Sequence, residues 1–249
     1  MQETFLSHLI ELRSRLVRAV GTVLAVFAVL SFWAGDIYDI LAQPMLQTLP
    51  AGTRMIATGV VTPFFVPIKV TLMVAFVVCL PVVLYQAWAF VAPGLYAHEK
   101  RLALPLVLGS TVLFMIGMAF CYFIVFGWVF KFIAEFAPDS INLAPDIEEY
   151  LSFVMTMFLA FGLTFEVPVI VVLLTRVGIV DIDALRKGRP YVVVGAFVVA
   201  AIITPPDVIS QFMLAMPMWL LYELGIVVAR AVAPREQNGE VVPGTGNDD

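Results

Sequence analysis

The chain has 249 residues, of which 61% are hydrophobic and 13% are charged, and its mean hydropathy is +0.99. Soluble domains usually carry about 25% charged residues, so this composition excludes an ordinary water-soluble domain and predicts an integral membrane protein. The formal net charge of −5 comes mainly from acids in two predicted outer loops and in the C-terminal tail.

Six apolar runs have lengths that suit membrane-spanning helices, which need roughly 17–25 mostly apolar residues. The fifth run has only 13 residues, or about 20 Å of helix for a hydrocarbon core of roughly 30 Å, and the sixth is also short. We predict an all-α polytopic fold with six transmembrane helices, of which the last two are short. The runs are Leu16–Ala34, Val70–Val91, Leu102–Phe130, Leu151–Thr175, Tyr191–Ile203 and Phe212–Val228.

The domain organisation follows from these runs and from the positions of the cations. Residues 1–233 form one predicted membrane domain, and the tail 234–249, which has no apolar periodicity, is predicted to be disordered. If the N-terminus is cytoplasmic, 11 of the 14 Lys and Arg residues lie on the inner side. The positive-inside rule therefore places both termini in the cytoplasm.

The N-terminal segment has an apolar repeat at helical spacing, which predicts an amphipathic helix along the inner membrane surface that runs into the first span. On its polar face, Glu11 and Arg15 stand four residues apart. An intrahelical ion pair at this spacing contributes about 0.3–0.5 kcal/mol, and it is the structural alternative to a binding role for Glu11. The repeat consists of Phe5, Leu9, Leu12 and Leu16.

The segment Gly35–Lys69 contains four prolines among apolar clusters, so we expect short helices and turns packed on the membrane. Cys79 and Cys121 are interpreted as small buried hydrophobic residues, because the chain has no third cysteine and no CxxC motif.

A polar interruption that contains Pro93-Gly94 separates the second and third runs. Trp88 and Phe90 precede it, and aromatic residues at such places usually serve as interfacial anchors. Glu99 begins the third helix. The helix macrodipole favours an acid there, so a solvated helix-start role for Glu99 stands beside a binding role.

Glu166 lies deep in the fourth run, ten residues before Arg176. A charged residue near the centre of a spanning helix costs about 2.5–3.5 kcal/mol on insertion scales, so an intramembrane carboxyl is a functional candidate by default. We expect it to be protonated, or to face a hydrated cavity or a polar partner. Pro168 should kink the helix near it.

The last two runs are joined by Thr204-Pro205-Pro206-Asp207, a rigid turn in which Asp207 is the predicted N-cap of the final helix. Gln211, at the outer end of that helix, suits an interhelical hydrogen bond. Glu223, near its inner end, is expected to snorkel towards water.

Several short segments, spread from the N-terminus to about Arg230, together form a recognisable pattern. They are Ser7–Leu16 (SHLIELRSRL), Tyr85–Tyr96 (YQAWAFVAPGLY) with His98-Glu99, Ser152-Phe153, Phe161-Gly162, Phe165–Pro168 (FEVP), Arg189–Tyr191 (RPY) and Thr204–Asp207 (TPPD). In this order and at these topological positions they resemble the TatC family, the multi-spanning core subunit of the twin-arginine protein translocase.

The resemblance implies a concave six-helix cup in the bacterial cytoplasmic (inner) membrane. It implies a receptor for folded exported proteins whose signal peptides carry paired arginines, with transport driven by the proton gradient. No enzymatic activity, cofactor or metal is implied. The implied partners are twin-arginine signal peptides, single-span TatA and TatB subunits, other copies of TatC and membrane lipid, and nucleic acid is not among them.

The resemblance also assigns candidate site residues. In the family, acids of the N-terminal region and the first cytoplasmic loop recognise the arginines, and these positions are Glu11 and Glu99 here, with Arg13 and Phe90 also matching. Glu166 matches the family's membrane-embedded glutamate. The candidates for partner contact or another link to function are Pro44, Tyr122, Thr204, Asp207, Gln211 and Met213.

Two other classes of membrane protein are alternatives. A proton-coupled secondary transporter could use Glu166, but the chain shows no internal repeat of the kind that many transporters have. An intramembrane protease would need a GxSG or GxGD motif or a pair of mid-membrane aspartates, and the sequence has none of these. It also has no P-loop, so the energy for transport must come from outside the chain.

Overall fold

The computed structural model describes residues 2–47, 55–91, 100–136, 144–204 and 208–232, and these ranges contain nine α-helices. Within them the one β-type pairing is a parallel bridge between Ile56 and Asp146. The all-α prediction is confirmed, and the predicted tail 234–249 lies outside the described residues. The helices are α1 (Gln2–Leu30), α2 (Ala34–Leu46), α3 (Thr62–Val78), α4 (Leu80–Val91), α5 (Lys100–Phe120), α6 (Phe126–Phe136), α7 (Ile147–Arg176), α8 (Ile182–Ile203) and α9 (Val208–Val232).

Four helical stretches are long and apolar enough to cross a membrane: Leu9–Leu46, Leu104–Glu135, Ile147–Arg176 and Val208–Ala231. The first joins α1 to α2 through a 3-10 turn, and the second joins α5 to α6 through a π-helical turn, Cys121–Val125. The predicted second span is two helices, α3 and α4, which meet at an angle of 62° around Cys79 and together make a fifth candidate. The chain is a multi-pass membrane protein, and the count of six spans stays a prediction.

The last two helices are longer than their apolar runs. α8 has 22 residues, but its first turns carry three cations, so its apolar part begins at Tyr191 as predicted. α9 has 25 residues and extends beyond Phe212–Val228 at both ends. The predicted shortness therefore applies to the apolar part of α8, whereas α9 alone is long enough to cross.

The N-terminal amphipathic segment is continuous with the first span, as predicted, because α1 runs unbroken from Gln2 to Leu30. It packs against α3 and α4. The segment Gly35–Lys69 forms no separate domain. α2 and the first turns of α3 occupy most of its described part.

α7 is the helix on which the bundle packs, because it contacts α3, α5, α8 and α9. Two glycines allow α5 to approach it closely. A Cβ at Gly162 would overlap the ring of Phe114, and a Cβ at Gly117 would lie 2.6 Å from the carbonyl oxygen of Phe161. α7 stays helical through Pro168. Close contact along this helix therefore places the middle of α5 directly against the middle of α7.

The buried interior contains both cysteines. Cys79 and Cys121 are buried and unpaired, as predicted. Cys121 lies in the largest apolar cluster with Phe126, Phe158 and Phe161, which joins the π-helical turn to α7.

An aspartate caps the start of α7 and holds a loop from far away in the sequence. One carboxyl oxygen of Asp146 accepts the backbone N–H groups of Glu148 and Glu149 at 2.8 and 3.3 Å. The other accepts the hydroxyl and the backbone N–H of Thr58 at 2.7 and 2.9 Å. These donors, the Thr58 hydroxyl first among them, lower the pKa of Asp146 from 3.8 to about 2.

Further contacts extend this connection to α3. Lys69 Nζ lies 2.7 Å from one carboxyl oxygen of Glu148, and the Thr62 hydroxyl donates to the other at 3.1 Å. The Ile56 N–H donates to the carbonyl of Pro145 at 3.0 Å. We call these contacts, together with those of Asp146, the α3–α7 clamp. It holds the first half of α3 against the first turn of α7.

Thr58→Val should destabilise the chain in a pH-dependent way, because it removes the hydroxyl that lowers the pKa of Asp146. A lowered pKa gives stability that is complete above about pH 4 and is lost as the pH falls towards 2. We expect the variant to melt roughly 2–4 °C below wild type at pH 7. In thermal unfolding measured in detergent, the difference in melting temperature between the variant and wild type should decrease as the pH is lowered from 4 to 2.

Thr111→Val is the matched control for this experiment, since the Thr111 hydroxyl donates within its own helix, to the carbonyl of Val107 at 2.8 Å. Its effect should not change with pH. A Thr58→Val difference that stays constant from pH 7 to pH 2 would contradict the assignment.

Candidate functional site

Glu11 forms the ion pair that its spacing predicts. Arg15 Nε and one of its terminal nitrogens donate to Glu11 Oε1 at 2.9 and 2.5 Å. The Glu11 side chain is 39% exposed, so solvent reaches the carboxylate while it holds this guanidinium group. Arg13 is also exposed, but residues two apart on a helix do not face each other. Arg13 therefore lies on a different side of α1 from Glu11.

The second predicted acid, Glu99, lies outside the described residues, which stop at Val91 and resume at Lys100. Phe90 is half-buried in the last turn of α4. α4 packs against both α1 and α5. The helix that carries Glu11 thus contacts the helix that leads towards Glu99, and a joint site for the two acids stays a prediction.

Trp88 is not the interfacial anchor that the sequence predicted. Its side chain is 8% exposed, and its indole N–H donates to the hydroxyl of Ser110 on α5 at 2.9 Å. The ring packs with Val107 and Leu173 where α4, α5 and α7 meet. The prediction failed because a tryptophan near the end of an apolar run is assigned to the surface from sequence, whereas its burial depends on neighbouring helices.

Glu166 is as deeply buried as predicted. It is 3% exposed, and within the described part of the chain neither carboxyl oxygen makes a hydrogen bond. The hydroxyl of Ser110 lies beside it. A buried polar group without a hydrogen bond costs about 1–3 kcal/mol. Burial of a carboxyl at such a cost is the pattern expected of a functional group.

Ser110 is the residue of this site that sequence analysis missed. It is completely buried at the level of Glu166. A hydroxyl in the middle of an apolar run was the available signal, but single serines are common in spanning helices because they can bond to their own backbone. Only the packing of α5 on α7 shows that this hydroxyl faces the carboxyl.

Pro44 and Tyr122 both determine the hydrogen bonding of one backbone carbonyl, that of Ile40. Pro44 has no N–H, so the carbonyl of Ile40, four residues earlier in α2, lacks its usual helical donor. The Tyr122 hydroxyl, in the π-helical turn, donates to that carbonyl at 3.1 Å. Tyr150 of α7 donates to the next carbonyl, that of Leu41, at 2.9 Å. These hydroxyls dock the end of α2 onto the bundle.

The predicted interhelical hydrogen bond of Gln211 is present, since its amide nitrogen donates to the carbonyl of Phe197 on α8 at 3.3 Å. Thr204 is buried at the end of α8 and donates to the carbonyl of Ala200 at 2.8 Å. Thr204 therefore has a structural use as a helix cap. Asp207 lies outside the described residues.

The other ends of α8 and α9 are joined by an ion pair. Arg189 donates to Glu223 at 2.6 Å. The Tyr222 hydroxyl donates to the carbonyl of Leu185 at 2.8 Å. Glu223 therefore does not simply snorkel, because it has a partner on the neighbouring helix.

Met213 lines an apolar groove of about 530 Å³ along the first half of α9. The opposite wall consists of Phe120 and Trp128 from the third predicted span. Trp128 and Phe212 are 62% and 50% exposed, so the groove opens away from the bundle. We call this feature the α9 groove.

Comparison with known sequences points to one family. The sequence model of TatC, the Sec-independent protein translocase protein, matches residues 7–217. The Sec-independent protein translocase protein TatC of Azotobacter chroococcum mcd 1 is 53% identical over 231 residues, which cover 93% of this chain and 91% of that protein. TatC of Escherichia coli K12 is 50% identical over 238 residues, which cover 96% of this chain and 92% of that protein.

The fold is similar to a crystal structure of the twin arginine translocase receptor TatC, with a TM-score of 0.78 and 38% identity. The similarity covers 90% of this chain and 98% of that one. A crystal structure of the same receptor in DDM also gives a TM-score of 0.78, with 37% identity. The likeness therefore extends over nearly all of both chains.

Tyr122→Phe should cost about 1 kcal/mol of stability, because the carbonyl of Ile40 loses the hydrogen bond from the Tyr122 hydroxyl. Pro44→Ala restores a backbone N–H that can donate to the same carbonyl. We expect Tyr122→Phe to cost much less in the Pro44→Ala background. Thermal unfolding of the wild type, both single variants and the double variant measures this coupling.

Tyr150→Phe is the matched control, since that hydroxyl donates to a different carbonyl, and its cost should be the same with Pro44 or Ala at position 44. Strictly additive effects of Tyr122→Phe and Pro44→Ala would show that the two residues do not share one carbonyl.

Proposed function

The chain belongs to the TatC family, and from that premise we propose that it is the receptor subunit of a twin-arginine translocase. It binds the signal peptides of folded proteins and takes part in their export across the bacterial cytoplasmic membrane. One observation carries the proposal: residues 7–217 match the TatC family, and the fold matches a twin arginine translocase receptor with a TM-score of 0.78. The partly exposed carboxylate of Glu11 holds the guanidinium group of Arg15, in the ion pair that the four-residue spacing predicted. Recognition of a signal-peptide arginine needs the same chemistry.

The paired arginines bind between Glu11 and Glu99. An arginine donates two parallel hydrogen bonds to a carboxylate, and lysine cannot reproduce this geometry. The incoming arginine replaces Arg15 at Glu11, so one guanidinium group is exchanged for another. Exposed ion pairs contribute only about 0–1 kcal/mol each, so the acids provide specificity more than affinity. Phe90, in the last turn of α4, and Arg13, on the exposed surface of α1, belong to the wider binding surface.

Most of the affinity comes from the apolar part of the signal peptide, at roughly 0.8 kcal/mol for each buried CH₂ group. This part enters along the inner half of the bundle, towards Glu166. The surface of α1 supports this placement, since none of its described side chains is buried and its apolar residues remain open beside α4. Leu16, Val17 and Val20 are 59%, 63% and 47% exposed.

The distribution of cations supports an orientation with both termini in the cytoplasm, as counted from the sequence. The chain has no P-loop, which is consistent with transport driven by the proton gradient and with the absence of a cofactor. Other copies of the chain and membrane lipid surround it in the complex.

Single-span TatA or TatB subunits bind in the α9 groove. The groove lies on a predicted spanning helix, its walls are apolar, and Met213 lies on its floor. Helices in a membrane associate by close packing, for which a preformed groove is suited. Gln211, next to the groove, adds a polar contact whose amide oxygen can accept a hydrogen bond.

A proton-coupled transporter is the second candidate, and the observation that favours it is the buried carboxyl of Glu166. Such a transporter would have no use for a carboxylate that binds guanidinium groups on the inner face. Dependence of export on paired arginines in the signal peptide therefore separates the two functions.

Glu99→Arg should reduce crosslinking of a twin-arginine signal peptide to a photoreactive residue at position 90 by at least about tenfold, because like charges repel. The amount of protein in the membrane should not change. A twin-lysine peptide should crosslink weakly to wild type. The measurement is the yield of crosslinked product for each peptide.

Glu149→Arg is the matched control, since Glu149 is an exposed acid at the far end of the bundle. It should leave crosslinking unchanged. Unchanged crosslinking in Glu99→Arg, or equal crosslinking yields with the lysine and arginine peptides, would contradict the receptor assignment.

Met213→Cys should form a disulfide with a cysteine placed in the spanning helix of a TatA or TatB subunit. The background variant replaces Cys79 and Cys121 by alanine, since both are buried and outside the groove. Val194→Cys, 64% exposed on α8, is the control and should crosslink weakly. Equal yields at the two positions would show that the α9 groove is not the docking site.

A further inference from the structure

A buried hydrogen bond connects the end of α4 to the hydroxyl that lies beside Glu166. The indole N–H of Trp88 donates to Ser110 Oγ at 2.9 Å, and Ser110 is completely buried. An indole can only donate, so this bond uses Ser110 as an acceptor and leaves its own hydrogen available. The carboxyl oxygens of Glu166 are the neighbouring acceptors without a hydrogen bond in the described chain.

Apolar side chains close this site on the side nearer the ends of α4 and α7. The ring of Trp88 packs with Val107 of α5 and Leu173 of α7 in one small cluster. Leu173 follows Glu166 by two helical turns, so both lie on the same face of α7. A path from the inner face to the carboxyl along this side therefore runs through the position of the Trp88 ring.

The opposite side is closed by the contact of α5 with α7. Phe114 follows Ser110 by one turn, and Gly162 precedes Glu166 by one turn, so the two pairs lie on facing surfaces. The Phe114 ring fills the space that a side chain at position 162 would need. This contact cannot open without separating the two helices, whereas the other side depends on one ring at the end of a shorter helix.

We propose that Trp88 and Ser110 are positioning residues for Glu166: the Trp88 ring closes the carboxyl site towards the inner face, and its bond to Ser110 links that site to signal-peptide binding. This inference rests on the proposed function, because Trp88 stands two residues before Phe90. A signal peptide that binds at Phe90 moves the last turn of α4. The ring of Trp88 moves with that turn, and its bond to Ser110 carries the movement to Glu166.

Trp88→Phe keeps an aromatic ring in the cluster and removes the N–H donor, and Ser110→Ala removes the acceptor. We expect each variant to lower export of a twin-arginine reporter by about tenfold. Crosslinking of the signal peptide at position 90 should stay at the wild-type level. Because both changes break one bond, the double variant should export as well as either single variant. Ser110→Thr, which keeps the hydroxyl, should retain export.

The link to Glu166 has its own test. In a Glu166→Gln background, Trp88→Phe and Ser110→Ala should cause no further loss of export, since both act through the carboxyl. Trp33→Phe, a change at a tryptophan that is 54% exposed, controls for the loss of an indole and should export normally. Export is divided by the amount of each variant that extracts as folded protein, so reduced stability alone does not imitate the result.

Normal export by Trp88→Phe, or additive losses in the double variant, would overturn the proposal. Loss of signal-peptide crosslinking in Trp88→Phe would also overturn it, because Trp88 would then belong to the binding site itself. If the wild-type chain did not crosslink the peptide, the proposed function would fail instead, and the two failures are therefore distinguishable.

Discussion

The helix on which the bundle packs carries a carboxyl group to which the described fold gives no hydrogen bond. α7 contacts four other helices, and Glu166 lies in its buried stretch. An apolar side chain of similar volume would generally be neutral or stabilising in such a place. Close packing of α5 on α7 offsets the cost of burying the carboxyl. Gly162 has no side chain, so the ring of Phe114 reaches the backbone of α7. The fold thus keeps a buried carboxyl one turn from a close contact between two helices.

The sequence was sufficient to predict features that lie within one helix. The apolar runs located the four long apolar helical stretches, and the four-residue spacing of Glu11 and Arg15 predicted their ion pair. It was insufficient where partners are distant: Tyr122 and Ile40 are 82 positions apart, and Thr58 and Asp146 are 88 apart. No local periodicity carries such pairings. Glu99 is neither a confirmed nor a failed prediction, because it lies outside the described residues, and its role remains a proposal.

The two ends of the bundle are built differently. At the end where α3 and α7 begin, Asp146 holds the loop at Thr58, and Glu148 holds α3 through Thr62 and Lys69. Towards the N-terminus, Glu11 is held by Arg15, a part-buried neighbour one turn along the same helix, and pairs at this spacing contribute little stability. A pair within one helix is easily exchanged for a ligand of the same chemistry, whereas a capped and paired helix start is not. The proposed receptor surface lies at the exchangeable end.

The break at Cys79 has a mechanical meaning. The backbone N–H of Cys79 closes α3 by donating to the carbonyl of Ala75, and the carbonyl of Cys79 accepts the N–H groups of Val82 and Val83 at the start of α4. The two half-helices meet at a bend of 62°, so they do not form one straight rod. A force applied to α4 rotates this short helix about Cys79. α3, which Thr62 and Lys69 attach to Glu148 of α7, can serve as the fixed support for that movement.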